Sequence, residues 1–180
     1  MRILKENTVG LFIDIQERLF PYMQEMDLLE QNLITLTAGL KVLEIPFLVT
    51  EQYTKGLGFT ILPLKKAFDD YSAIEKISFS CCDEPRFVNA LSASARKNVI
   101  LCGIETHVCV LQTAIDLVQA GYQPIVIEDC VSSRSLSDKR TAIERMRQEG
   151  AIISSVESIL FELTRYSGTE TFKDISKLVK

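Results

Sequence analysis

What most constrains the fold of this chain is an alternation that runs along its whole length. Six short apolar runs (VGLFIDI, PFLVT, IEKISF, NVILCGI, QPIVIEDC and AIISSV) are each separated from the next by a stretch of helical length. Such near-continuous apolar runs are how strands buried on both faces read. After the first, Leu29, Leu33, Leu36, Leu40 and Leu43 recur at alternating spacings of four and three, the apolar stripe of an amphipathic helix. Other helices are predicted behind Asp83, as a cap with Pro85 in the first turn, and from about Thr106 to Gly121. One more runs from a Ser137 cap to Gly150, and ETFKDISKLV makes a short one at the end. Repeated strand–helix–strand units require a parallel sheet covered on both faces. The expected fold class is therefore α/β: a three-layer α/β/α Rossmann-like, doubly wound domain with a six-stranded, mainly parallel sheet. No linker or low-complexity segment divides the sequence, so residues 1–180 are expected to form a single domain.

Composition narrows the function classes. With 180 residues, 47% of them hydrophobic, the chain can bury a large core without cross-links. Its five cysteines, irregularly spaced, are then expected to be reduced thiols in a cytoplasmic setting. A net charge of −4 leaves no basic footprint, so neither nucleic acid nor an anionic membrane surface is an expected partner. No apolar run approaches the roughly 20 residues that cross a bilayer, and MRILKENTVGLFIDIQ lacks the build of a signal peptide. A small-molecule substrate is the expected partner.

In doubly wound folds ligands bind beyond the carboxyl ends of the strands. Three polar side chains fall there: Asp14 after the first run, Lys76 in the third, and Cys109 at the start of the helix after the fourth. An acid, an ammonium and a thiol on one rim make chemical sense together. The helix end and the ammonium favour thiolate, which places the expected Cys109 pKa below the free value of about 8.5. The carboxylate can take the thiol proton and return it to a leaving amine. Each residue also has a plain structural role open to it. A lone cysteine is most often a small buried hydrophobe, an aspartate can hold a loop, and a lysine can sit on an edge strand. Of the other thiols, Cys81 and Cys82 fall near the rim, Cys102 reads as core, and Cys130 ends the fifth run.

The stretch GIETHVCVLQTA, residues 103–114, resembles the signature of the isochorismatase-like cysteine hydrolase superfamily. DIQ at 14–16, the lysine of IEKISFS, TEQYTKGLG and VIEDCVSSR extend the likeness, in the family's order, over roughly residues 8–160. The resemblance implies that Cys109 is the nucleophile, Asp14 the general base and acid, and Lys76 the third member of a triad. It implies a cis peptide bond between Ile104 and Glu105 and an oxyanion hole made by the backbone N–H groups of Glu105 and Cys109. Gln16, Phe20, Gln52, Tyr53, Phe79 and Ile104 are the candidate substrate-pocket residues. His107 is not assigned to catalysis, because residues two apart point to different sides of a helix; packing at the solvent edge or a subunit contact is expected of it.

Departures from the family pattern shape the rest. Relatives that bind a metal do so through an aspartate and histidines after the second strand, where this chain reads TEQYTKGLG, and it has a single histidine. No cofactor and no metal are therefore expected. Vinyl-ether-cleaving isochorismatases of the enterobactin type lack the cysteine, so Cys109 favours acyl transfer. Three classes stay open: an amide hydrolase working through a thioester, a vinyl-ether hydrolase, and a non-catalytic binding or scaffold protein. A homo-oligomer of at least two chains is expected, with Phe59, Ile61, Leu62 and Leu64 as the apolar cluster in need of cover.

Overall fold

A computed structural model describes residues 2–180. Strands β1 (Thr8–Ile13), β2 (Phe47–Gln52), β3 (Ala73–Lys76), β4 (Asn98–Ile104), β5 (Gln123–Ser132) and β6 (Ile152–Ser154) form one sheet in the order β3-β2-β1-β4-β5-β6. Every pairing in it is parallel. Among the described residues eight α-helices connect and flank the strands: α1 (Met26–Val42), α2 (Thr54–Leu57), α3 (Leu62–Phe68), α4 (Pro85–Ala93), α5 (Leu111–Gln119), α6 (Leu136–Gln148), α7 (Val156–Thr164) and α8 (Glu170–Leu178).

The two-residue period of a strand decides which core each side chain joins. Val9, Leu11 and Ile13 of β1 face one layer with Val99 and Leu101 of β4, against Phe87, Leu91, Leu117 and Met146 of α4, α5 and α6. Phe12, Ile100 and Cys102 point the other way, into a core shared with Leu33, Leu36 and Leu40 of α1 and with Ile159 and Leu160 of α7. The predicted leucine stripe is thus the buried face of α1, with Leu43 continuing it just past the helix end.

Two predicted caps are each displaced by one or two residues. Glu84, not Asp83, caps α4, its carboxylate accepting the Arg86 N–H. Ser135, not Ser137, caps α6 by accepting the Asp138 N–H; Ser137 bonds to the Ser135 hydroxyl instead. In both cases two capping-type residues compete, and the loop geometry selects the one whose oxygen reaches back to the helix amides.

The order of strands reverses between β1 and β4, and this switch point is where the topology opens a crevice. Gly103 makes the close approach possible there. It sits at φ +125°, and any Cβ would collide with the Ile13 carbonyl oxygen, so the ends of β1 and β4 can run side by side only with glycine at this position.

Candidate active site

Three strand ends deliver the candidate residues to one place. Asp14 follows β1 in a left-handed conformation, φ 52°, which aspartate tolerates better than most residues. Lys76 closes β3, and Cys109 lies in a π-helical turn, Thr106–Val110, between β4 and α5. The sequence placed Cys109 at a helix start; the turn is wider than an α-helix and sits ahead of α5. The Ile104–Glu105 peptide bond that leads into it is cis.

Lys76 Nζ lies 2.6 Å from Asp14 Oδ2, with both side chains wholly buried. The other two ammonium protons have acceptors as well, the carbonyl oxygens of Ser78 at 3.0 Å and Phe79 at 3.1 Å. Asp14 Oδ1 accepts from the Thr50 hydroxyl at 2.8 Å. A buried charge pair is tolerable only with this degree of satisfaction. Cys109 is 3% exposed, with its thiol proton turned to a protein acceptor. The hydrogen bond of that proton goes to Gln52 Oε1 at 3.7 Å, and the Asp14 carboxylate stands near enough for its charge to act on the thiol.

Electrostatics corrects one expectation. The Cys109 pKa is raised, not lowered, chiefly because burial disfavours the thiolate and because the Asp14 charge stands beside it; Lys76 only partly opposes them. Burial likewise pushes the Asp14 carboxyl upward, against the pull of Lys76. Burial alone would lower the Lys76 pKa, but Asp14 and the thiols of Cys81 and Cys109 turn the net shift upward. The resting site therefore holds a protonated thiol next to its base rather than a preformed thiolate.

The remaining thiols shift in the same direction, mainly through burial. Cys81 is pushed up to about 12 and Cys82 to about 11, while Cys102 and Cys130 are held well above 9.0. In the window between 9.0 and each raised value, the folded chain binds more protons than the unfolded one. This stability is complete below 9.0 and is lost as pH rises. Denaturant unfolding on either side of that pH should show a loss of up to about 1.4 kcal/mol per pH unit for each fully buried thiol.

The six predicted pocket residues divide. Gln52 is half-buried at the mouth of the site, and Tyr53 and Phe79 are exposed, at 51% and 52%. The Tyr53 ring packs over Gly56, and the Phe79 carbonyl holds Lys76. Gln16, Phe20 and Ile104 are buried away from open space, Phe20 and Ile104 in the core on the α1 side of the sheet. Gln16 is a brace, its Nε2 donating to the carbonyls of Gln52 and Gly58 and its Oε1 accepting from the Gln52 N–H. Of the oxyanion-hole pair, Glu105 is anchored through its carboxylate, which accepts from the Arg134 backbone and Nε at 3.1 and 3.0 Å. His107 turns toward β5, with Nδ1 2.9 Å from Ser133 Oγ.

Sequence reasoning passed over Thr50, and it set Cys81 near the rim without giving it a role. Thr50 orients Asp14, and the Cys81 sulfur lies 3.8 Å from the Thr50 hydroxyl. Thr50 was findable as the polar residue that ends the second apolar run, PFLVT. A cleft of about 480 Å³, lined by Gln24, Glu128, Asp129, Lys139 and Ser155, lies elsewhere on the rim and includes none of the three candidates. Lys76 lines a smaller one of about 350 Å³ with Tyr53, Lys55, Ile77 and Arg86. The chemistry, not the cleft size, marks the site.

Comparison with known proteins agrees with the geometry. The model for the isochorismatase domain matches residues 8–158. The secreted isochorismatase effector Isc1 of Phytophthora sojae is 38% identical, over 99% of this chain and 87% of that protein. Among solved structures, the MAR1 ribonuclease of Caenorhabditis elegans has a TM-score of 0.93 at 37% identity, covering 99% of this chain and 92% of its own. The YcaC product of Escherichia coli, an octameric hydrolase of unknown specificity, has a TM-score of 0.93 at 25% identity, covering 99% and 89%. With the family model spanning most of the chain, this protein belongs to the isochorismatase-domain family.

Proposed function

We propose that the protein is a cysteine hydrolase that cleaves a small-molecule amide C–N bond, or a related acyl bond, through a thioester on Cys109. The observation that carries this reading is a fully buried carboxylate–ammonium pair set directly against a thiol. A purely structural ion pair has no need of a thiol, and a raised Asp14 pKa suits a general base that must later act as an acid. Asp14 takes the thiol proton while Lys76 keeps the pair charge-balanced, and Sγ attacks the acyl carbon. The backbone N–H groups of Glu105 and Cys109 stabilise the oxyanion. Asp14 then protonates the leaving nitrogen, and water resolves the thioester.

The ribonuclease name of one relative gains no support from the charge of this chain, a net −4. Among the described residues no helix is long and apolar enough to cross a membrane, and a cytoplasmic setting remains the proposal.

We also infer a homo-oligomer. Phe59 and Leu62 stand 53% and 59% exposed, as the need of that apolar cluster for cover implies, and Ile77 is 73% exposed as well. Ile61 and Leu64 instead fold back into the protein's own core. The octameric state of YcaC supports the inference.

The test is ammonia or amine release from a panel of small amides, ureas and carbamoyl compounds, with light scattering on the same preparation. Turnover is expected to survive exhaustive chelation, because both Asp14 oxygens and Glu51 Oε1 are already engaged within the protein. Lys76 and Thr50 hold Asp14, and Thr60 holds Glu51 Oε1 through both its N–H and its hydroxyl. Activity lost to a chelator and restored by zinc would overturn the metal-free reading; a monomer in solution would overturn the assembly.

A further inference from the structure

We propose that Gln52 sets the specificity of the site: its side-chain oxygen, fixed beside the Cys109 sulfur, accepts an N–H from the nitrogen of the substrate's scissile C–N bond and so selects amides and related C–N compounds over esters. The inference deepens the acyl-transfer reading above and rests on it.

The orientation of the Gln52 amide is dictated by its surroundings. Nε2 faces two carbonyl oxygens, those of Ile77 at 3.2 Å and Ser78 at 3.4 Å. Only an N–H end can satisfy two carbonyls, so the amide cannot flip without losing both bonds. Oε1 is thereby aimed at Cys109 Sγ, 3.7 Å away. The backbone beneath is braced too, since Gln16 accepts the Gln52 N–H at 2.7 Å and donates to its carbonyl at 2.9 Å. This oxygen is a fixed acceptor at the mouth of the site.

A count of donors around the sulfur shows what such an acceptor needs. The three protons of Lys76 are spent on Asp14, Ser78 and Phe79. The Thr50 hydroxyl is spent on Asp14. In the resting site the thiol proton can serve Gln52, but that proton leaves for Asp14 when the nucleophile forms. Gln52 Oε1 then faces a thiolate and a protonated carboxyl turned to the sulfur, with none of these side-chain donors left for it. A substrate that brings its own N–H fills the vacancy. An ester would instead set an oxygen lone pair against it.

The reaction places such a group at the right stage. The Sγ–C bond forms as the acyl C–N bond weakens. The departing nitrogen, keeping its N–H on Gln52, takes the proton held by Asp14 and leaves as an amine or ammonia. Water later cleaves the S–C bond, releasing the acid and the thiol.

The experiment measures alkylation of Cys109 by acrylamide and by methyl acrylate, followed by peptide mapping, relative to glutathione under the same conditions. Both probes form one S–C bond and differ in the amide N–H. The expected acrylamide-to-methyl-acrylate rate ratio at Cys109 exceeds the glutathione ratio by about tenfold, the order of one hydrogen bond to a partly buried acceptor. Gln52→Met is expected to return it to the glutathione ratio, and Gln52→Ala to do the same should the first variant fold poorly. General loosening of the site would move both rates together and leave the ratio alone. A wild-type ratio no higher than that of glutathione, or one unchanged in the variants, would overturn the proposal. Alkylation needs no hydrolysis, so a protein that turns over no acyl compound fails the earlier reading without deciding this one.

Discussion

Replacing Cys109 with alanine is expected to lower acyl-transfer turnover by roughly 10³-fold or more, the scale of losing a nucleophile that works as part of a unit. The effect should appear in kcat, because the thiol enters only the chemical steps. The fold should persist. Cys109 is a small side chain in the α4–α6 core, and the Asp14–Lys76 pair beneath it keeps all its partners without the sulfur. Steady-state kinetics beside a thermal melt checks both halves. Activity that survives the substitution would point to vinyl-ether chemistry, which has no need of a thiol.

Lys76→Met should destabilise the protein by about 3–5 kcal/mol, the usual result of leaving a buried charge without its partner. Asp14 has no exposure and, among the described residues, no other cation within bonding distance, so its carboxylate cannot turn to water. It will respond by binding a proton. Its folded-state pKa, already above the reference 3.8, rises further in the variant. The folded state then holds a proton that the unfolded state has released, so the variant's stability is greatest below 3.8 and falls as pH rises through the widened window. The stability gap from wild type should narrow in acid and open toward neutrality. Adding Asp14→Asn should restore part of the loss, since a neutral amide replaces the orphaned charge. A gap independent of pH would mean that Lys76 acts through packing rather than charge.

The physics of this fold explains why much of it could be read in advance. Strands buried on both faces must be apolar along their length, so the runs of β1 and β4 were plain while the half-buried edge strands β3 and β6 are shorter, and the leucine stripe of α1 followed from a 3.6-residue period. Asp14, Lys76 and Cys109 were legible as polar residues at strand ends. Their pKa values were not. Sequence suggested a helix end and a lysine acting on an open thiol, whereas the chain buries that thiol against a carboxylate, and desolvation outweighs both. The caps were missed for a local reason, since neighbouring acidic or hydroxyl residues read alike until backbone geometry picks one. Ile61 and Leu64 show the same limit: an apolar residue after a loop can serve an interface or its own core, and only packing decides.

The most direct test of the account is intact-mass analysis of acid-quenched protein after brief incubation with the amide panel. Wild-type protein is expected to carry an acyl adduct on Cys109 by peptide mapping, and Cys109→Ser and Asp14→Asn should accumulate none at the thioester's rate. Turnover with no acyl group at Cys109 at any quench time, and with undiminished rate in the Cys109 variant, would contradict the thioester mechanism.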